Sequence, residues 1–397
     1  MEELRRKNEI LLADISLKFK RFLYDEIDWT HRFVAILGGR GTGKTTMLLQ
    51  YLAENYGEHI LYASLDDFYF TQHSLLETAE RFYLNGGRIL LLDEVHKYPG
   101  WQGEIKNIYD YFRNLQVIFT GSSILKIYEG DTDLSRRVIK YELPPMSMRE
   151  YMDLAFGIKT RPVKLEDILE NPTEIARQLI GKIEIPLKHY NDFVRGGQYP
   201  FFKTAGKNYL PLLRQIALYT LEDDFKTVLN VDYATIVKLK KLLYIIASMP
   251  HFKPNISRLA VQTGLARETL LKFLHYLDKA QLLKLLYAEN QGISLYRKPE
   301  KIYLQNPNLL FALHDNGEIN PGTVRELFFL SQVSVKHRVY YARKTDFKVD
   351  GRYYFEIGGK SKSHKQIQGL PGAYLVKDDI LFGTKKAIPL WLFGWLY

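Results

Sequence analysis

The stretch GGRGTGKTT, residues 38–46, has the residue types and spacing needed to hold a polyphosphate. Gly38, Gly43, Lys44 and Thr45 occupy the fixed places of G-x-x-x-x-G-K-T, in which glycines let backbone N–H groups wrap phosphate oxygens. Gly39, Arg40, Gly41, Thr42 and Thr46 complete the expected cradle. Lys44 is expected to reach the β- and γ-phosphates of ATP and the Thr45 hydroxyl to meet Mg²⁺. Further along, the apolar run RILLL delivers Asp93 and Glu94 to a strand end. There Asp93 would hold Mg²⁺ through water, and Glu94 would orient or deprotonate the water that attacks the γ-phosphate. QVIFTGSS ends in Thr120, Ser122 and Ser123, and Ser122 is the expected partner of the γ-phosphate or of that water. In DLSRRVIK, Arg136 and Arg137 offer an arginine finger, with Arg137 preferred, for the chain's own nucleotide or for a neighbour's in a homo-oligomer.

A second constellation lies in DFKVDGRYYFEIGGKSK, residues 346–362. Asp346, a turn, then Glu356 on an apolar strand would set two carboxylates to hold a divalent cation by oxygen, with a lysine stabilising charge on phosphorus. A metal-dependent nuclease of the restriction-endonuclease type has Glu-x-Lys. Here Gly358 takes the lysine's place and Lys360 follows two residues later, about 6.6 Å further along a strand. A three-residue loop, Val349–Asp350–Gly351, would pair position 346 with 354 and put Asp346 and Glu356 on one face as diagonal neighbours. A two-residue loop would put them on opposite faces. Three readings stay open: an active metal site in which Lys360 bends back, DNA binding without cleavage, and a purely structural role.

The elements that must position these residues follow an α/β rhythm. RFVAIL (32–37) reads as a strand before the glycine loop and MLLQYLAENYG as the helix after it. HILYASLDD, the helical TQHSLLETAERFYL, RILLLDEVH and QVIFTGSS continue the alternation, which implies a parallel sheet with right-handed crossovers. Its ligands are expected outside the carboxyl ends of the strands. Residues 160–234 read as helices with loops, a possible lid, and RGGQYP (195–200) as a structural Gly–Gly turn. From 253 to 289, a cap at Asn255 or Ser257, then Ala260, Gly264 and Leu270, fit a helix-turn-helix. QLLKLLYAENQGISLYRKP fits a wing after it. In a DNA reader Arg267, Thr269 and Lys272 would face the major groove, and Lys298 would meet phosphate.

Length and composition bound the rest. At 397 residues the chain has room for two to four domains, and 46% hydrophobic with 14% aromatic residues supply packed cores. The absence of cysteine excludes disulfides and thiolate metal sites. MEELRRKNEI carries no apolar leader, and AIPLWLFGWLY is too short to span a bilayer and reads as a final core strand. A cytoplasmic protein without a membrane partner is expected. Residues 1–234 carry 30 Lys and Arg against 33 Asp and Glu, whereas residues 235–397 carry 25 against 12. Basicity gathered in one half suits a partner with a phosphate backbone.

GGRGTGKTT, LDEVHKYPGW, TGSS and PPMSMREY together resemble the AAA-type ATPases of bacteria and archaea whose C-terminal domain, of unknown function, has a nuclease-like fold. RGGQYP, FKPNISRLA and KIYLQNPNLLFAL extend the resemblance over nearly the whole chain. It implies an AAA+ fold with ATP and Mg²⁺ over residues 1–155 and a helical lid over 156–234. A winged helix-turn-helix over 235–298 and a restriction-endonuclease-like α/β domain over 299–397 complete the expected architecture. The same resemblance adds Glu326, on the apolar helix VRELFFLSQVSV, to Asp346 and Glu356 as a metal set.

Overall fold

The computed structural model describes residues 1–122, 134, 136–249, 253–289, 297–314 and 317–397. Ser123 and the tip of the expected wing lie outside them. The chain gathers into two compact units, residues 1–144 with 223–231 and residues 145–222 with 232–397. This grouping cuts across the expected boundaries at 155, 234 and 298. Motifs set those boundaries, whereas contacts set the units, and the short stretch 223–231 packs with the first.

Helices of seven residues or more are numbered below. The first unit holds α1 (Glu2–Ala13), β1 (Phe33–Gly38), α2 (Lys44–Glu54), β2 (Ile60–Ser64), α3 (Leu75–Leu84), β3 (Ile89–Asp93), α4 (Trp101–Tyr111), β4 (Gln116–Ser122) and β5 (Ile139–Leu143). The five strands form an all-parallel sheet in the order β2-β3-β4-β1-β5. Every residue of β1 is buried, as a strand covered on both faces requires. Phe33, Leu61, Leu90, Val117 and Phe119 pack with Phe82, Ile105 and Ile108 from α3 and α4. Ser74 and Glu77 form a capping box that starts α3. The strand order reverses beside β1, so the crevice outside the carboxyl ends opens at the glycine loop.

The second unit adds α5 (Met148–Phe156), α6 (Pro172–Ile180), α7 (Pro186–Gly196), α8 (Tyr209–Tyr219), α9 (Tyr233–Ala247), α10 (Ile256–Thr263), α11 (Arg267–Lys279), β6 (Leu283–Leu286), β7 (Lys301–Leu304), α12 (Pro307–Leu313) and α13 (Pro321–Val333). Beyond them come β8 (Val339–Tyr341), β9 (Phe347–Val349), β10 (Tyr353–Gly358), β11 (Ala373–Lys377) and β12 (Ala387–Pro389), in the order β12-β11-β10-β9-β8. β8–β9–β10 are antiparallel and β10–β11–β12 parallel. Phe329 packs against Phe347, Phe355 and Phe393 beneath this sheet. The C-terminal apolar run departs from the expected strand: only Ala387–Pro389 is extended, and Leu390–Trp395 coils into a buried 3₁₀ helix. Its consecutive large side chains are all buried, which a coil allows and a two-faced strand on one core does not. Gln198, in the Gly–Gly turn, donates its backbone N–H to Asn308 Oδ1 at 2.8 Å, the structural role expected of that turn. Among the described residues no helix is long and apolar enough to cross a membrane.

Candidate nucleotide site and a second carboxylate cluster

The glycine loop leaves β1 and enters α2 with Gly41 at φ +79° and Gly43 at φ +98°, conformations that favour glycine. Gly38 is required for another reason: a Cβ there would lie 2.6 Å from the Leu143 carbonyl oxygen on β5. Thr42, fully buried, donates its hydroxyl to the Gly39 carbonyl at 2.8 Å and braces the loop. Lys44 donates to the carbonyls of Gly38 and Gly39 at 3.0 and 3.1 Å. Thr46, next in α2, is exposed. Thr45 Oγ1 donates to Asp93 Oδ2 at 2.7 Å. The two expected Mg²⁺ residues therefore meet, although they come from α2 and β3.

Asp93 is only 2% exposed. Its Oδ2 also accepts from the Tyr62 hydroxyl at 3.0 Å, and its Oδ1 accepts from Thr120. Burial, and next the charge of Glu94, push its carboxyl above the usual range despite those donors and Lys44. Glu94 stands at φ +52°, a left-handed conformation that costs about 1–3 kcal/mol in a non-glycine residue. Its N–H donates to Thr120 Oγ1 at 3.1 Å, and its Oε2 lies 3.3 Å from His96 Nε2. This bend turns the Glu94 carboxylate off the strand direction that Asp93 follows.

A group of residues without a sequence motif closes the site. Ser122 Oγ donates to Asp224 Oδ2 at 2.5 Å, so the expected β4 hydroxyl is present but engaged by an unforeseen acid. Asp224 is fully buried, and Arg40 reaches its Oδ1 with two nitrogens at 2.6 and 3.1 Å. His96 Nε2 is 3.5 Å from the same oxygen. Burial opposes the Asp224 charge, yet His96 and Arg40 hold its carboxyl well below the usual range. Asp223 pairs with Arg40 at 2.5 Å and with Lys97. Tyr62, His96 and the Asp223–Asp224 pair were not foreseen, and Thr120, named at the same strand end as Ser122, bonds Asp93. His96 sits two residues past Glu94 and carried a local signal, but LEDDF far along the chain carried none.

Arg137 requires a correction. It donates to Asp110 Oδ1 at 3.3 Å and lies over the Tyr109 ring, at the C-terminal end of α4. Because it precedes β5, it belongs to the amino edge of a parallel sheet whose carboxyl edge carries the glycine loop. Arg137 therefore stands at the edge of the sheet opposite the glycine loop.

The second unit brings Glu326, Asp346 and Glu356 together. The β9–β10 hairpin pairs Val349 with Tyr353 through a three-residue loop, Asp350–Gly351–Arg352. The loop is odd-numbered, as expected, but shifted by one residue: Phe347 pairs with Phe355, and Asp346, just before the strand, donates its N–H to the Phe355 carbonyl at 3.1 Å. Asp350 and Gly351 both have positive φ, so the tight turn falls one residue later than expected. Asp346 Oδ2 accepts from the Ile357 N–H at 2.9 Å. Burial, then Glu326 and Glu356, raise its carboxyl to about 6. Lys301, on β7, reaches Glu326 Oε2 at 3.1 Å and Asp346 Oδ1 at 3.6 Å, and Tyr303 also donates to Glu326.

The lysine beside Glu356 is Lys362, not Lys360. Lys362 Nζ lies 2.6 Å from Glu356 Oε1, whereas Lys360 is exposed. A turn from Gly359 to Lys362 folds the chain back, and a Cβ on Gly358 would meet Lys362 Cβ at 2.5 Å. Gly358 thus clears the path by which Lys362 reaches the acid. Glu356 is 2% exposed and its Oε2 is buried without a hydrogen-bond partner. Among the described residues, no three His, Asp or Glu side chains are gathered as a metal site; the lysine ammoniums stand among these carboxylates instead.

In the helix-turn-helix region, Asn255 caps α10 by accepting from the Arg258 N–H at 3.0 Å. Gly264 ends that helix at φ +67°. α11 buries Leu270, Leu271, Phe273, Leu274 and Leu277 and leaves Arg267 and Lys272 exposed, with Thr269 half-buried. β6 and β7 pair antiparallel after it, and Lys298 is exposed before β7.

The first unit thus has the sheet and phosphate loop of an AAA-type P-loop protein. A family model described as an AAA domain matches residues 30–152, and a domain of unknown function, DUF8612, matches residues 188–319. The uncharacterized protein MJ1637 of Methanocaldococcus jannaschii is 30% identical over 326 residues, 75% of this chain and 67% of that protein. The chain belongs to the family of that archaeal protein. A uridine kinase of Anoxybacillus flavithermus is 26% identical over 180 residues, covering 41% of this chain and 83% of the kinase. Among solved structures, AMPPCP-bound DnaA from Aquifex aeolicus is 18% identical across 70% of this chain and 84% of that one, with a TM-score of 0.29. The Hsp104–ADP complex of S. cerevisiae is 14% identical across 69% and 43%, with a TM-score of 0.31.

Proposed function

We propose that the chain is a Mg²⁺-dependent ATP hydrolase whose nucleotide state controls a basic second unit that binds DNA. The meeting of Thr45 and Asp93 at 2.7 Å beside the glycine loop carries the first part. A hydroxyl and a carboxylate that share one proton donor–acceptor contact, with further hydroxyls behind, form an oxygen donor set suited to Mg²⁺. Bound there, Mg²⁺ would neutralise charge on the β- and γ-phosphates. Lys44 exchanges the Gly38 and Gly39 carbonyls for phosphate oxygens, and loop N–H groups take the rest. Glu94, held off the strand and beside His96, takes the proton from the attacking water. Ser122 steadies the γ-phosphate. Arg137 serves the nucleotide of a neighbouring copy in a homo-oligomer. ATP supply suits a cytoplasmic setting.

DNA as the partner rests on the charge excess of residues 235–397 and on the exposure of Arg267, Lys272 and Lys298 around a helix-turn-helix. These features support a winged helix that binds the phosphate backbone. One observation favours a second reading, an ATP-regulated metal-dependent endonuclease: the unpartnered Oε2 of Glu356 beside Lys362. The lysines among the carboxylates weigh against it. The deciding experiment follows phosphate release and plasmid cleavage together, with Mg²⁺ or Mn²⁺, for wild type, Glu94→Gln and Glu356→Ala. DNA-stimulated phosphate release that Glu94→Gln abolishes, with plasmid intact in all three, supports the first reading. Cleavage lost in Glu356→Ala supports the second. Absence of phosphate release from wild type overturns both.

A further inference from the structure

Asp224 is a fully buried carboxylate, and its partners all come from the edge where a nucleotide's phosphates would lie. Arg40 belongs to the glycine loop after β1, His96 follows β3, and Ser122 ends β4. Arg40 binds Oδ1 at 2.6 and 3.1 Å, and Ser122 donates to Oδ2 at 2.5 Å. His96 Nε2 stands 3.5 Å from Oδ1. A guanidinium, an imidazole and a hydroxyl converging on two oxygens are the donors that a terminal phosphate requires. Asp224 already takes the guanidinium and the hydroxyl, and His96 Nε2 stands beside it without a hydrogen-bond partner. Two anions cannot share one such set at close quarters, because like charges a few ångströms apart in a water-poor site repel strongly.

The segment that brings Asp224 has its own mark. Thr220–Phe225 is a π-helix, a rare geometry that is frequent at functional sites. Residues 223–231 pack with the first unit, while the chain on either side of them belongs to the second. Val228 rests against the core of the first unit, and Asp223 adds its pairs with Arg40 and Lys97. Whatever displaces Asp224 must act on a segment whose two ends both continue into the second unit.

We propose that Asp224 is a built-in stand-in for the terminal phosphate of the nucleotide, so that ATP, and not ADP, expels residues 223–231 from the glycine-loop site. The proposal rests on the nucleotide-site reading above and adds a device to it: the γ-phosphate and Asp224 compete for Arg40 and Ser122. ADP lacks the competing group and leaves Asp224 in place. The freed segment then carries the nucleotide state along the chain in both directions.

The test measures binding of a non-hydrolysable ATP analogue and of ADP, both with Mg²⁺, to wild type, Asp224→Asn and Asp223→Asn, with hydrogen exchange of residues 220–231 on the wild-type chain. Removing the competitor in Asp224→Asn should tighten the analogue about tenfold and change ADP less than about threefold. Asp223→Asn, which relieves Arg40 of one carboxylate but keeps the Asp224–Ser122 contact, should tighten the analogue less than Asp224→Asn does and change ADP less than about threefold. Exchange should speed up with the analogue and stay slow with ADP. Equal tightening of both nucleotides, weaker analogue binding by Asp224→Asn, an Asp223→Asn effect as large as that of Asp224→Asn, or exchange indifferent to the analogue would each overturn the proposal. The exchange arm needs no variant and holds if a substitution unfolds the protein. Failure of the wild type to bind either nucleotide is a different result and overturns the nucleotide-site reading itself.

Discussion

Asp93, buried, and Asp346, half-buried, are both acids at strand ends, and desolvation pushes both carboxyls up. Their surroundings differ in kind. Asp93 is met by the hydroxyls of Thr45, Thr120 and Tyr62. The cluster around Asp346 is met by the ammoniums of Lys301 and Lys362. Hydroxyls solvate a carboxylate without cancelling its charge, so the site keeps an attraction for an external cation. Lysines cancel the charge from within, and a divalent cation entering there must first turn out an ammonium. The same residue type at two strand ends is thus prepared for two uses.

The sharpest way to break this comparison is kinetic. Lys44→Ala and Glu94→Gln should each lower phosphate release by about 10²–10⁴-fold, with Glu94→Gln keeping nucleotide affinity, since a base acts on the proton and not on the phosphates. Glu356→Ala should leave the rate within about twofold. A large loss in Glu356→Ala would mean that the hydroxyl-lined acids are not the whole hydrolytic site. A thermodynamic test comes next. Lys301→Met strands Glu326 and Asp346 without their shared ammonium and should cost about 3–5 kcal/mol of stability, read as a lowered Tm. Millimolar Mn²⁺ should restore much of that loss in the variant and do little for wild type. Stabilisation of both proteins by Mn²⁺ would show that the cluster takes a cation with its lysines in place.

The pH dependence of stability sharpens the same contrast. Asp346 titrates near 6 in the fold, above the value of about 3.9 expected unfolded. The fold therefore favours its protonated form, and that contribution is complete below about pH 4 and lost as pH rises through 6. Asp346→Asn should flatten this limb by about 1–3 kcal/mol, measured by urea unfolding at pH 4 and pH 7. The acid itself was legible in the sequence, because a carboxylate ten residues from a second one across a turn signal suggests a shared face. So was the glycine loop, whose backbone cradle is local: Gly41 and Gly43 turn it, and Thr42 and Lys44 bond the carbonyls of Gly38 and Gly39. What escaped notice was chemistry made by long closures. Asp224 reaches Arg40 across 184 positions, and Lys301 reaches Glu326 across 25. Lys362 was hidden differently, since only the turn after Gly358 shows which of three nearby lysines faces inward. The one-residue shift of the hairpin has a similar cause: loop parity follows from alternation, but the position of the turn depends on which residues accept positive φ.

The smallest expected effect concerns the basic surface. Arg267 starts α11 and Lys272 lies one turn and a half along it, both exposed, while the buried face of that helix is fully apolar. No core role therefore competes for these two cations, and substituting them should leave Tm within about 1 °C. If they meet phosphate, each lost contact removes about one released counterion. The slope of log K against log salt should then fall by about 0.9 for Arg267→Ala and again for Lys272→Ala, and by the same amount for Lys298→Ala. Affinity should drop about equally for duplexes of different sequence in the Lys298 variant, whereas Arg267→Ala should also relax any sequence preference, because a residue at the start of a recognition helix is placed to touch base edges. Unchanged slopes in all three variants would move the DNA contact elsewhere on the basic half, and an unchanged slope with lost affinity would point to a protein partner at this helix instead.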